Sequence, residues 1–219
     1  MKLSHQQNIR LVIFDFDGTI ADTSEGILDA YRYTLESMGV PVPDDSALRT
    51  LIGGALLKNF CNLLQCNEET AKEAVQIYRK RYSEVGIHKA ELYPGIGDAL
   101  ARLKDKGLMI GMATLKAQVF AEKMLEEMGI RNRFDCVCGM DQKDTTNKPS
   151  LIQKCMRSCN CKESETVVIG DSNNDYEGAI KAGTHFIGVL YGFGFKMDES
   201  YAFPVVKSPD ELMKSVLQI

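Results

Sequence analysis

Six polar residues in this chain of 219 residues stand where apolar runs stop. The run Leu11-Val12-Ile13-Phe14 leads straight into Asp15-Phe16-Asp17-Gly18-Thr19, and Val167-Val168-Ile169 leads into Gly170-Asp171-Ser172-Asn173-Asn174-Asp175. Carboxylates at the carboxyl end of buried parallel strands lie where open α/β sheets bind ligands. If the two strands are neighbours, four carboxylates meet and repel one another unless a cation sits among them. Mg²⁺ meets that need, because it is held by a few carboxylates together with water and substrate phosphate. Met112-Ala113-Thr114 adds a hydroxyl at a third strand end, and Asn147-Lys148-Pro149-Ser150 adds an ammonium before a helix. A hydroxyl and an ammonium are what the non-bridging oxygens of a phosphoryl group require. Each residue also has a plain reading, since Asp and Gly favour turns, Thr caps strand ends and most lysines are solvated. The order Asp-x-Asp, Thr, Lys, Gly-Asp-x3-Asp is far more specific than any one of its members.

The elements that must position these residues alternate between strand and helix. Leu11 to Phe14, Leu108 to Ala113, Val167 to Ile169 and Phe186 to Leu190 are apolar on consecutive residues, as strands buried on both faces are. Helical patterns run from Asp98 to Lys106, Val119 to Met128 and Asp175 to Ala182, each followed by a glycine stop at Gly107, Gly129 or Gly183. The alternation predicts an α/β fold with a Rossmann-like parallel sheet. Residues 22 to 91 break the rhythm with helical periodicity alone. Ile27, Leu28, Tyr31, Leu35 and Met38 mark one helix face; Leu56, Leu57, Phe60, Leu63 and Leu64 a second; Ala71, Ala74, Val75, Tyr78, Tyr82 and Val85 a third. The predicted organisation is a core of residues 1–21 and 92–219 with an inserted all-helical cap at 22–91.

Composition narrows the function classes. Hydrophobic residues make up 44% and charged residues 26%, enough for a buried core and unlike a disordered chain. A formal net charge of −4 provides no cationic field for nucleic acid. No run is long and apolar enough to cross a bilayer, and Met1 to Arg10 lacks the apolar core of a secretion signal, so a cytoplasmic location is expected. The cysteines at 61, 66, 136, 138, 155, 159 and 161 are odd in number and are read as reduced thiols. Cys136 and Cys138 are expected to fall on opposite faces of a strand, which argues against a soft metal site. His5, His88 and His185 lack metal-ligand spacing, and a Walker-type phosphate loop is absent.

The four motifs Asp15-Phe16-Asp17-Gly18-Thr19, Thr114, Lys148-Pro149 and Gly170-Asp171-Ser172-Asn173-Asn174-Asp175 make the chain resemble the haloacid dehalogenase superfamily over essentially its whole length. The insertion between the first two motifs looks like the helical cap of subfamily I, and the layout is similar to phosphoglycolate phosphatases and nucleotidase-like members. The resemblance implies a phosphatase working through an aspartyl-phosphate. Asp15, nearest the strand end, is the candidate nucleophile, and Asp17, two residues on and projecting to the same side, the candidate acid and base. Mg²⁺ is expected on Asp15, the Asp17 backbone carbonyl, Asp171 and Asp175, with Thr114 and Lys148 on the phosphoryl oxygens and Gly18 and Thr19 beside the substrate. Similar dehalogenases carry an aromatic residue at position 17, so Asp17 points to phosphate ester hydrolysis or to a phosphosugar mutase.

Substrate choice is assigned to the cap. Leu48 to Gly54 matches the place of a specificity loop; Arg49 and Lys58 are read as contacts to an anionic leaving group or, more commonly, as surface salt-bridge partners, and Gly53-Gly54 as a close approach to ligand or a plain interhelical turn. Leu115 stands where relatives often carry Asn or Ser, and Lys116 is read as a substrate contact or, more commonly for lysine, as solvated. Gly192-Phe193-Gly194 is either a loop near the site or only a bend. The expected partner is a small-molecule phosphate ester, and the expected assembly a monomer or weak homodimer. The alternative outside enzymology is a non-catalytic phosphate-binding module.

Overall fold

The apolar run at the start of the chain forms β1 (Leu11–Phe14), all four residues buried. The structure, a computed structural model, describes residues 9–141 and 145–219; His5 falls outside them. After β1 come β2 (Ala21–Asp22), α1 (Ser24–Ser37), α2 (Asp45–Arg49), α3 (Leu56–Leu64), α4 (Glu68–Glu84) and β3 (Glu91–Leu92). The chain then alternates through α5 (Ile96–Asp105), β4 (Met109–Ala117), α6 (Gln118–Glu127), β5 (Cys136–Met140), α7 (Lys148–Ser158), β6 (Thr166–Gly170), α8 (Asn173–Ala182) and β7 (His185–Val189), ending with β8 (Val205–Val206) and α9 (Leu212–Val216).

The main sheet has the order β5-β4-β1-β6-β7-β8 with every pairing parallel. This is the expected α/β architecture, with β1 central. Alternate residues of β1 enter different cores: Val12 and Phe14 join the larger apolar cluster, Leu11 and Ile13 the smaller. That period of two decides the cysteines as well. Cys136 and Cys138 are two apart, so they share one face of β5, and Cys138 packs in the same cluster as Cys155 and Cys159. The expectation that they split across the strand is therefore corrected.

The helical insertion sits between β2 and β3, which pair antiparallel as its two stalks through Ala21↔Leu92 and Asp22↔Glu91. Its three long apolar faces are the expected ones, and α2, capped by the Asp44 side chain, is an additional short helix. Tyr31, Phe60 and Tyr78 meet with ring centroids 4.9 to 5.9 Å apart, joining α1, α3 and α4. No described helix is long and apolar enough to cross a membrane.

β4 outruns its predicted end. It continues past Ala113 to Ala117 with a shift of register against β5, so Thr114 lies within the strand. β5 was not anticipated, because Cys136 to Met140 carries a glycine and no strongly β-branched run. Phe60 is fully buried at the junction of the three insertion helices. Phe60→Ala is expected to cost about 3–5 kcal/mol in a urea or thermal unfolding experiment.

Candidate active site

Register brings the acidic strand ends together. Phe14 lies level with Ile169 of β6 and Met112 of β4, and the Asp15 amide donates to the Ile169 carbonyl at 2.9 Å. β1 ends at Phe14 and β6 at Gly170, which puts Asp15 and Asp171 at the same edge of the sheet, beside Thr114 in the continuing strand β4. Carboxylate oxygens of Asp15, Asp171 and Asp175 lie within 4.8 Å of one another, and all three residues are buried. Gly18 permits this approach: at φ +79° it takes a conformation suited to glycine, and a Cβ there would fall 2.2 Å from Asp171 Oδ2.

Lys148 opens α7 behind an Asn147 side-chain cap and Pro149, and the helix delivers its ammonium into the acids. Lys148 Nζ donates to Asp15 Oδ1 at 2.7 Å and to the Ala113 carbonyl at 2.9 Å, and lies 2.6 Å from Asp175 Oδ1. Asp175 accepts from the Ser172 amide and hydroxyl through its other oxygen, closing a capping box at the start of α8. Asp171 Oδ2 accepts from the amides of Phe193 and Gly194, so Gly192-Phe193-Gly194 is a wall of the site rather than a distant bend.

Asp17 turns toward the insertion. Its Oδ1 accepts from the Thr23 hydroxyl at 2.6 Å and lies 3.0 Å from Lys116 Nζ. The Lys116 side chain is only 5% exposed; it donates to the Tyr82 hydroxyl of α4 at 2.8 Å and lies over the Tyr82 ring. The expectation that Lys116 is solvated is thus corrected: the buried carboxylate gives the ammonium a partner that open water would otherwise supply. Although burial works against both ammonium groups, the facing carboxylates hold Lys116 and Lys148 above the usual lysine range.

Charge balance tests whether a metal fits. Burial pushes the Asp15 carboxyl up to about 6, with Lys148 opposing and Asp175 and Asp17 adding to the rise. Burial likewise lifts Asp171 well above the usual range, helped by Asp175 and Asp15. Among the described residues, the buried carboxylates of Asp15, Asp17, Asp171 and Asp175 face two buried ammonium groups, Lys116 and Lys148. Full ionisation leaves two negative charges uncompensated. A divalent, oxygen-seeking ion supplies that charge, and the donor set fits Mg²⁺.

A cavity of about 70 Å³ separates the acids from the insertion, lined by Asp15, Asp17, Thr114 and Lys116 on one side and Tyr31, Gly53, Gly54, Tyr78, Arg79 and Tyr82 on the other. Gly53 also receives a hydrogen bond at its carbonyl from Asn174 of α8, at 3.2 Å. Arg49 lines a separate recess with Asp171 and Phe193, Lys58 is exposed, and Gly18 and Thr19 are absent from the cavity wall. Thr19 is instead fully buried, with its hydroxyl unpartnered. Arg79 was missed in the sequence, although it sits three residues before Tyr82, the spacing that puts two residues on one helix face.

Residues 12–189 match the family described as haloacid dehalogenase-like hydrolase. A 5'-nucleotidase from Pseudomonas aeruginosa is 33% identical over 184 residues, covering 84% of this chain and 83% of that protein. A phosphoglycolate phosphatase from Vibrio parahaemolyticus is 28% identical over 96% of this chain and 97% of its own. A solved structure of a predicted phosphatase from Clostridium acetobutylicum superposes with a TM-score of 0.91 at 34% identity, covering 97% of this chain and all of the other.

A carboxyl group whose pKa is raised by folding contributes stability that is present below its unfolded value, near 3.8, and lost as pH rises through about 6. In metal-free buffer, wild type is expected to lose stability between pH 4 and pH 7 relative to Asp15→Asn, which cannot ionise there. Thermal melts of both proteins in chelator across that range check the sign.

Proposed function

As a member of the haloacid dehalogenase-like hydrolases, this chain, we propose, is a Mg²⁺-dependent phosphomonoesterase that hydrolyses a small organic phosphate through an aspartyl-phosphate. The observation that carries the reading is the buried meeting of Asp15, Asp171 and Asp175, with the Lys148 ammonium on Asp15 and Asp175. Relatives named 5'-nucleotidase and phosphoglycolate phosphatase support the same reaction class.

Asp15, Asp171 and the Asp17 backbone carbonyl would hold Mg²⁺, with Asp175 assisting. Bound there, the ion offsets the excess negative charge and draws electron density from a phosphoryl oxygen. Asp15 Oδ1 is held by Lys148, so we assign Oδ2 to attack phosphorus. The ester P–O bond breaks as the new P–O bond to Asp15 forms, and Asp17 gives its proton to the departing alkoxide. Asp17 then takes a proton from water as that water attacks phosphorus, releasing inorganic phosphate and restoring Asp15. Lys148 and the Thr114 hydroxyl steady the charge on the phosphoryl oxygens. Lys116 and Thr23 hold Asp17 in place.

We assign residues 22–91 as a cap that closes over this chemistry and excludes water. Its Tyr31, Tyr78, Tyr82 and Arg79 give the leaving group an apolar wall with one cation in it. Gly53 and Gly54 leave the loop backbone close to the substrate, and Arg49 reaches the adjoining recess.

Phosphate release from a panel of nucleoside monophosphates, sugar phosphates and phosphoglycolate tests the reading. At least one ester is expected to turn over with Mg²⁺ and to stop doing so in chelator. Asp15→Asn is expected to abolish turnover, and Asp17→Asn to lower kcat by about 10²–10⁴-fold. Full activity in either variant contradicts the assigned roles. Isomerisation of a sugar phosphate without net phosphate release favours a mutase.

A further inference from the structure

A second group of metal-ligating side chains lies away from the carboxylates, against the smaller apolar core. Cys136 and Cys138 project from one face of β5, and α7 packs across that face with Cys155 on its inner side and Cys159 at its C-terminal cap. The sulfurs of Cys136, Cys138 and Cys155 all lie within 4.8 Å of one another. Cys159 Sγ is 3.5 Å from Cys136 Sγ, which brings a fourth sulfur to the group. No disulfide joins these described cysteines.

We propose that Cys136, Cys138, Cys155 and Cys159 form a thiolate site for a soft divalent cation, Zn²⁺. Four thiolates at about 2.3 Å from a tetrahedral zinc stand roughly 3.8 Å from one another. The observed separations, 3.5 Å for one pair and at most 4.8 Å within the trio, bracket that value. Side-chain rotations would bring the trio to that spacing and swing Cys159, already beside Cys136, in as the fourth ligand. The sheet leaves room for the sulfurs at Gly111 of β4, where a Cβ would fall 3.1 Å from Cys136 Sγ and 3.5 Å from Cys155 Cβ.

The site differs from the acidic one in chemistry. Sulfur donors select zinc over magnesium, whose preference is for oxygen, so the two ions sort themselves. Cys155 Sγ donates to the Met112 carbonyl at 3.0 Å. Zinc binding replaces each coordinating S–H bond by an S–Zn bond and releases the proton to solvent, with no change of oxidation state. The bound ion would pin α7 to β5 about two turns beyond Lys148, the residue that holds Asp15.

Full-length protein, reduced and stripped of metal, is titrated anaerobically with Cd²⁺ and Co²⁺ in excess Mg²⁺, which saturates the carboxylates. The expected result is a thiolate-to-metal charge-transfer band that saturates at one equivalent, is displaced by Zn²⁺, and accompanies a rise in Tm. Cys136→Ser, at a half-buried position, and Cys138→Ser are each expected to weaken binding more than about 100-fold, beyond the roughly 10–100-fold that loss of an outer partner costs. A Cys61→Ser/Cys66→Ser double variant and Asp171→Asn are expected to leave the band unchanged, which separates this site from the proposed phosphatase centre. A titration without a charge-transfer band at one equivalent, or a band that survives in both Cys136→Ser and Cys138→Ser, overturns the proposal.

Discussion

The ammonium of Lys148, buried among carboxylates at 2.7 Å from Asp15 and 2.6 Å from Asp175, is the interaction on which the rest of the site depends. Taking ions out of water costs several kcal/mol each, and only close opposite charge and hydrogen bonds offset that cost. Lys148 meets the condition through Asp15, Asp175 and the Ala113 carbonyl together. Asp171 has backbone amides and, among the described residues, no ion pair, and burial lifts its carboxyl well above the usual range. A site so arranged keeps surplus negative charge buried, where a divalent cation would offset it.

Many local features serve that one demand. Gly18 has no side chain to collide with Asp171, the Phe193 and Gly194 amides point at the Asp171 carboxylate, and α7 begins where its first residue can reach Asp15. A second ion pair, Lys116 with Asp17, extends the network into the insertion, because the same ammonium donates to Tyr82 of α4. Helix α4 is thus tied to the Asp17 carboxylate by two consecutive polar contacts.

The parallel core was legible because buried strands write themselves as unbroken apolar runs: Leu11 to Phe14 is the strand that the run predicts. Gly107, Gly129 and Gly183 ended their helices with positive φ as their positions suggested. β5 was not legible, since an edge strand of two cysteines, a glycine and a single β-branched residue, Val137, carries no aliphatic run. The length of β4 was hidden for a related reason: Thr114-Leu115-Lys116 reads as a loop, and only pairing with β5 beyond a register shift keeps it extended.

Sequence by itself determined which residues could do chemistry, because residue type and order along the chain carry the acids, the hydroxyl and the ammonium with no reference to their neighbours. It also determined that the sheet is parallel and that residues 22 to 91 are mainly helical, since periodicity is a local property. Tertiary structure alone decided which charges meet. Lys116 is buried on Asp17, Arg79 rather than Arg49 lines the cavity, Thr19 is enclosed, and four cysteines from β5 and α7 converge. Those outcomes depend on contacts between segments far apart in the chain, where the pairing of strands and the packing of helices set the distances that Coulomb and coordination forces respond to.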